Sequence, residues 1–309
     1  MKYLLTYFKG MAMGAADVVP GVSGGTIAFI TGILDTLIES IKRINPSLFK
    51  VIKSQGVKGA FEYINGPFLV AVFGGILTSI FTLSKLISYL LTHYPIPVWS
   101  FFFGLILISV VHMLRQVKGF TWVRGLLFSI GVVFAWGITV LNPIALEMSY
   151  INIFFAGCIA ICAMLLPGIS GSFILLLLGM YTSVIGAVKS FDIIVLAIFC
   201  LGCIVGLLSF SHLLSALLKR FHDETLVFLT GLMLGTLGKI WPWKQVLSWR
   251  ENSSGEQVPL QEANLSPMAF EQLTGQSAQL IAAIVAMCVG IALVWGLERF
   301  ASRQQVSSS

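Results

Sequence analysis

The sequence is poor in charged residues. Only 10% of its 309 residues are charged and 57% are apolar, and the mean hydropathy is +0.93. This balance excludes a soluble globular domain and a disordered chain. The net charge of +6 does not indicate nucleic-acid binding, because the Lys and Arg residues lie between apolar runs, where they indicate membrane topology.

Cysteine is also scarce, and its placement argues against redox or metal chemistry. All five cysteines lie inside apolar runs. Cys200-x-x-Cys203 has the spacing of a zinc or redox pair, but neither further ligands nor polar groups accompany it in the sequence. We therefore expect no metal site and no cofactor, and interpret the cysteines as small apolar residues of helices.

Long apolar runs make up most of the chain. A helix needs about 20 apolar residues to span a membrane, and six runs approach or exceed that length. They are 67–92, 97–115, 122–141, 192–218, 225–241 and 278–298. Two pairs of glycines inside these runs, Gly202 with Gly206 and Gly231 with Gly235, have the spacing of close helix packing.

One short phrase occurs twice, 147 residues apart. It reads Pro-Gly-Val-Ser-Gly-Gly at 20–25 and Pro-Gly-Ile-Ser-Gly-Ser at 167–172, and downstream Gly32 matches Gly179 at the same offset. The segments around each copy are too short for full spans and suit broken or re-entrant hairpins. Such a break is tolerated at membrane depth only where it lines a cavity or is packed in protein. Two copies predict a transporter with internal repeats and a midplane binding site.

The predicted fold is an all-α polytopic membrane protein of two inverted-topology repeats. Each repeat has one re-entrant or broken helix hairpin and three transmembrane helices. Repeat 1 covers 1–145 and repeat 2 covers 146–300, with an external polar loop at 242–277 and a polar tail at 301–309. Three spans, an odd number, separate the two phrases, which inverts the second repeat. With both termini in the cytoplasm, 14 of the 19 basic residues fall on the cytoplasmic side, as the positive-inside rule requires.

The phrase has the chemistry of an anion site. Proline and glycine end the incoming helix, and Ser23 or Ser170 is a natural N-cap for the outgoing one. Exposed N–H groups and the half-helix dipole favour an anion, with phosphate as the obvious ligand. The alternative is a tight turn with close helix packing and no ligand. The predicted binding residues are Pro20, Gly21, Ser23, Gly24, Gly25, Thr26, Pro167, Gly168, Ser170, Gly171, Ser172 and Lys85.

Two intramembrane charges complete the predicted site. Asp17 aligns with Met164 of the second copy, so the architecture does not require a charge there, and we predict a coupling or gating carboxylate that exchanges H+ or Na+ or pairs with a cation. Lys85 is the predicted alternate partner of Asp17 or of the phosphate. It could equally extend outward to the membrane surface.

These residues resemble a known family. Ala16–Thr26 and Leu166–Ser172 are similar to the paired hallmarks of the PopT-type bacterial family, formerly a domain of unknown function and now associated with polyprenyl-phosphate translocation. The resemblance implies a flippase, not an enzyme, in the bacterial cytoplasmic (inner) membrane. It would return undecaprenyl phosphate, the carrier lipid of envelope glycan synthesis, to the inner leaflet, while the polyprenyl tail stays in the bilayer.

Two other functions remain open from the residues. One is a permease for a small anion or metabolite. The other is a membrane hydrolase, since Pro20–Ser23 is similar to the Pro-Gly-x-Ser-Arg-Ser signature of undecaprenyl-pyrophosphate phosphatases. In this chain Gly24 and Gly171 stand in place of the arginine that such catalysis needs. Asp35 and Glu39 imitate the acidic pair of that family poorly, because they lie near a helix end.

Overall fold

The chain folds into a bundle of helices with one β-hairpin. A computed structural model describes residues 2–19, 22–119, 121–141, 143–144, 146–251 and 257–306. The first helices are α1 (Lys2–Val18), α2 (Gly24–Ile30), α3 (Leu34–Lys42), α4 (Ser47–Tyr63), α5 (Gly66–His93), α6 (Pro95–Gln116) and α7 (Trp122–Val140). The later ones are α8 (Tyr150–Leu165), α9 (Gly171–Leu177), α10 (Tyr181–Ser190), α11 (Ile193–Arg220), α12 (His222–Gly235), α13 (Pro267–Thr274) and α14 (Leu280–Val306). Strands β1 (Lys244–Glu251) and β2 (Gln257–Asn264) pair antiparallel between α12 and α13.

The apolar helices confirm a multi-pass membrane protein. Four of them, α5, α6, α7 and α11, are each long and apolar enough to cross a bilayer, and up to six spans result if each bent helix pair is one span. Helices α5 and α11 have 28 residues each, or about 42 Å at 1.5 Å per residue. That exceeds the roughly 30 Å of a hydrocarbon core, so they tilt or project beyond it.

The helices are interrupted at each phrase, as predicted, but the segment that follows each phrase is bent a second time, which the sequence did not predict. The two second bends share one turn geometry. Helices α2 and α3 meet at 113°, and α9 and α10 at 109°. Gly32 and Gly179 both have φ of +69°, and the N–H of the following residue donates back into the preceding helix (Ile33 to Ala28, 3.0 Å; Met180 to Leu175, 2.9 Å). This is the Schellman ending, which favours glycine. The sequence match between the two halves therefore corresponds to a structural match.

Glycine contacts pair the long helices across the two halves. Helices α6 and α14 cross at Gly104 and Gly290, and α12 and α7 cross at Gly231 and Gly131. A Cβ on any of the four would lie within 3.0 Å of a backbone oxygen of the partner helix. Each half thus packs its second long helix against the last helix of the other half. Inversion of the two repeats, and their boundaries, stay predictions.

Several segments differ from the expected layout. The predicted span 225–241 ends as a helix at Gly235 and continues as a 3₁₀ turn over Leu237–Ile240. Between them, the Thr236 hydroxyl donates to the Met233 carbonyl. The polar loop 242–277 holds the β-hairpin and α13. In the predicted tail, residues 301–306 continue α14, since neither glycine nor proline interrupts them, and 307–309 lie outside the described residues.

Candidate functional site

The two phrases meet in the interior of the protein. The Gly168 N–H donates to the Thr26 hydroxyl at 2.8 Å, and both residues are buried. Gly25 lies so close to the Met164 carbonyl that a Cβ would be 2.5 Å from its oxygen. Gly168 has φ of +90° and Pro167 is buried beside it. Pro20 and Gly21 of the first phrase lie outside the described residues.

The first phrase is capped by the chain itself. Ser23 is the N-cap of α2, and its hydroxyl accepts from the Gly25 N–H at 3.2 Å. The Asp17 carboxylate accepts from the Gly24 N–H at 2.6 Å. Hydrogen bonds to a charged acceptor are the stronger kind. An anion of the protein therefore already lies where a phosphate was predicted to bind.

The second phrase has the same shape but is not capped. Ser170 is at the N-cap position of α9, yet its hydroxyl lies 2.9 Å from the Ser172 hydroxyl instead of capping the helix. A Cβ on Gly171 would meet the Met164 side chain, just as one on Gly24 would meet Asp17. No described residue accepts a hydrogen bond from the N–H of Gly171 or Ser172. Asp17 and Met164, which align in the sequence, thus occupy equivalent positions beside Gly24 and Gly171.

A small cleft opens beside the second phrase. Four polar side chains line it, and its volume of about 10 Å³ is about the space that one water molecule needs. Its lining residues are Ile138, Thr139, Gly168, Ile169, Ser170, Phe173, Thr236 and Lys239. The cleft joins the end of α7, the end of α12 and the start of α9.

Lys239 supplies a cation to this cleft, and sequence reasoning missed it. Its ammonium nitrogen lies 5.1 Å from the centre of the Phe173 ring, a cation–π contact, and 3.5 Å from a Glu262 carboxylate oxygen. In the sequence, Lys239 is a lone cation at the end of an apolar run, where a basic residue ordinarily indicates topology. Lys239 reaches the cleft because α12 ends at Gly235 and the chain then turns back toward the second phrase.

The β-hairpin fixes the surroundings of Lys239. Glu262 is also 3.2 Å from the Lys244 ammonium nitrogen, which donates to the Lys239 carbonyl at 2.6 Å. Burial lowers the pKa of Lys244, and the nearby Glu262 carboxylate opposes that shift. The hairpin is attached by hydrogen bonds from Trp241 to the Leu265 carbonyl and from Asn264 to the Gly238 carbonyl, both 2.8 Å.

Lys85 is not brought to either phrase. Its side chain is exposed, and no hydrogen bond or ion pair joins it to a described residue. Asp17 has the Gly24 N–H as its partner instead of the predicted Lys85. The transport role of Lys85 stays a prediction.

A second polar region lies at the far end of α3. Glu39 pairs with Lys219 at 2.8 Å, and the Ser215 hydroxyl donates to it, which ties α3 to α11. An open groove of about 290 Å³ adjoins this network. Its lining residues are Asp35, Thr36, Glu39, Ser40, Arg43 and Asn65. Glu39 is therefore an ion-paired residue, half-buried against α11.

Comparison with known proteins gives a consistent result. Residues 13–258 match the model of a family described as undecaprenyl phosphate translocase-like. A polyprenyl-phosphate transporter of Vibrio cholerae serotype O1 is 66% identical over 303 residues, which cover 98% of each chain. A polyprenyl-phosphate transporter of Staphylococcus aureus is 32% identical over 257 residues, 77% of this chain and 86% of the relative. No solved structure matches this chain.

Proposed function

The chain belongs to the undecaprenyl phosphate translocase-like family, and we propose that it moves undecaprenyl phosphate, or a close polyprenyl phosphate, between the leaflets of the bacterial cytoplasmic membrane. The names of both relatives support this substrate class. Both termini lie in the cytoplasm in this proposal. The protein acts as a transporter and performs no covalent step on the lipid.

The phosphate binds first in the cleft beside the second phrase. The observation that carries this assignment is the meeting of Lys239 with two hydroxyls, Ser170 and Thr236, next to the uncapped start of α9. A lipid phosphate bears one to two negative charges, and an ammonium group with hydroxyl and N–H donors matches it. The cleft must widen from its present size to admit the headgroup.

The polyprenyl tail remains outside the helix bundle. Helix α7 forms one wall of the cleft through Ile138 and Thr139, and its neighbouring side chains Trp136 and Val140 are exposed. An apolar surface exposed to lipid beside a polar cleft lets the headgroup enter while the tail stays in hydrocarbon. The tail then stays in hydrocarbon throughout transport, so its hydrophobic free energy does not change.

Asp17 acts as a gate at the first phrase. The phosphate passes from the uncapped second phrase to the first, where Ser23, Gly24, Gly25 and Thr26 receive it. The contact between Thr26 and Gly168 supports this path because it joins the two phrases directly. Asp17 must then release the Gly24 N–H, and uptake of a proton by its carboxylate makes that release favourable.

The test is a transport assay in sealed proteoliposomes. Radioactive polyprenyl phosphate is placed in both leaflets, and a phosphatase added outside releases only the phosphate that it can reach. The wild-type protein makes the inner pool accessible, whereas protein-free vesicles release only the outer pool. We expect Lys239→Gln to slow this step about tenfold or more, because a hydrogen bond to a charged group contributes about 1.5–3 kcal/mol.

Lys189→Gln is the matched control, since Lys189 is exposed, has no described polar partner and lies outside the proposed site. It should transport like the wild type. Equal slowing of both variants, or normal transport by Lys239→Gln, contradicts the assignment of the cleft. Export of trapped inorganic phosphate at a comparable rate would favour a small-anion permease. Release of phosphate from a polyprenyl pyrophosphate without added phosphatase would favour a hydrolase.

A further inference from the structure

Helix α4 exposes apolar side chains outside any spanning segment. Phe49 is 77% exposed and Val57 is 79% exposed, and Ile52 and Phe61 are exposed as well. Ala60 is the one buried residue of this helix, which packs mainly against α5. The segment is too short and too rich in lysine to cross a bilayer itself.

The backbone of α4 folds it into two short arms. Gly56 has φ of +71° and breaks the helix, and the Ser47 and Tyr63 hydroxyls at its two ends lie 3.3 Å apart. Arg43 also donates to the Tyr63 carbonyl at 3.0 Å, which holds the arms against the end of α3. The two arms are thus a compact unit between α3 and α5.

Each arm separates apolar from charged residues. Phe49 and Ile52 are three positions apart in the first arm, and Val57 and Phe61 four apart in the second, so each pair shares a face. Lys50, Lys53 and Lys58 are all exposed beside these faces, against the single acidic residue Glu62. Long lysine stems can follow an apolar surface while the ammonium group stays at the headgroups.

The sequence position of α4 selects the bilayer as its partner. Three residues after Tyr63, the chain enters α5, one of the membrane-crossing helices. The arms are therefore within a few residues of the membrane surface, and three cations on an apolar segment match an anionic leaflet. We infer that α4 lies in the headgroup region of an anionic leaflet, with Phe49 and Val57 inserted in lipid.

Spin labelling tests this inference independently of transport. The five native cysteines are replaced by alanine, and a nitroxide is placed at Phe49→Cys or, as the control on the polar side of the same arm, at Ser54→Cys. The label at 49 should collide more with oxygen, which concentrates in lipid, and the label at 54 more with a water-soluble nickel chelate. Equal nickel accessibility at both positions would overturn the insertion.

The contribution of the three lysines is tested by changing the charge of the vesicles. Vesicles of phosphatidylcholine alone are compared with vesicles containing about one third phosphatidylglycerol. The oxygen preference at 49 should increase several-fold in the anionic vesicles, and the triple variant Lys50→Gln, Lys53→Gln, Lys58→Gln should lose that increase. An oxygen preference that is the same in both vesicles, or an increase that survives in the triple variant, would overturn the choice of an anionic surface.

Discussion

A single residue separates the chemistry of the two phrases. Each phrase leads into a seven-residue helix, but Asp17 occupies the place that Met164 has in the second copy. The carboxylate bonds the first helix start at 2.6 Å, while the second start has no described acceptor and faces Lys239 across the cleft. The start of α2 thus has a carboxylate acceptor from the chain itself, whereas the start of α9 has no described acceptor.

The contact between the phrases can be tested through Thr26. Thr26→Val keeps the shape of the side chain and leaves the buried Gly168 N–H without its acceptor. We expect a loss of about 1–3 kcal/mol in the free energy of unfolding, the cost of an unsatisfied buried donor. Thermal unfolding in detergent measures it, and Thr26→Ser should retain most of the stability.

Thr230→Val is the control, because Thr230 is equally buried but bonds only a carbonyl of its own helix. Thr230→Val should lower the free energy of unfolding much less than Thr26→Val. A Thr26→Val protein no less stable than Thr230→Val would mean that the Gly168 N–H finds another partner, and that the two phrases are joined by packing alone.

The gating role of Asp17 predicts a change in pH dependence. Asp17→Asn keeps an oxygen that can accept from the Gly24 N–H, so the protein should fold and bind lipid phosphate. The amide cannot take up a proton, and transport should therefore become slower and nearly independent of pH. Initial rates in proteoliposomes between about pH 6 and 8 measure this.

Asp35→Asn is the control variant, since Asp35 lies on α3 and is exposed in the open groove there. It should retain the wild-type pH profile. If Asp17→Asn also retains that profile, Asp17 is a structural cap of α2 and takes no part in coupling.

Part of the candidate site can be predicted from the sequence, and part of it cannot. Repetition of the phrase and the mismatch of Asp17 with Met164 were readable because they are local patterns. Lys239 was not, because its position depends on where α12 ends and how the following turn packs against Phe173. The N-cap of Ser170 was predicted but its hydroxyl bonds Ser172, a contact that competes locally with the helix end.

Glycines determine how the helices of this protein approach each other. The predicted close packing at Gly202, Gly206, Gly231 and Gly235 is confirmed, since a Cβ at each would lie within 3.0 Å of an atom of a neighbouring helix. Small residues allow such approach in a membrane, where no hydrophobic effect drives helices together. The spacing of the glycines predicted tight contacts, whereas the partner helices depend on the tertiary fold.

The crossing of α7 and α12 gives a direct stability test. Gly231→Ala places a methyl group against the Phe128 carbonyl and must separate the helices, while Gly137→Ala adds one where nothing lies within 4 Å. We expect the first to lower stability by about 1–3 kcal/mol, as overpacking does, and the second to be neutral or slightly stabilising through helix propensity. Thermal unfolding of the two variants in detergent measures both effects, and equal stability would contradict the tight crossing.

At the scale of the whole molecule, each half packs one of its helices against a helix of the other half. Helix α6 of the first half packs on α14, and α12 of the second packs on α7. The run lengths and the repeated phrase predicted the apolar helices and the interruption at each phrase, but not the second bends at Gly32 and Gly179. The β-hairpin was expected only as part of the polar loop 242–277, and α4 was not predicted, because its order comes from contacts such as Ser47 with Tyr63.

The predicted inversion of the two repeats would place α4 and α13 on opposite faces of the membrane. The prediction rests on the odd number of spans between the phrases and on the cation bias, and it is tested with single cysteines in a cysteine-free background. Ser54→Cys on α4 and Gln272→Cys on α13 are both at exposed positions. An impermeant maleimide added to intact cells should label position 272 directly, and position 54 only after permeabilisation. Labelling of both positions from one side would remove the inversion, and with it the architecture of two inverted-topology repeats predicted from the paired phrases.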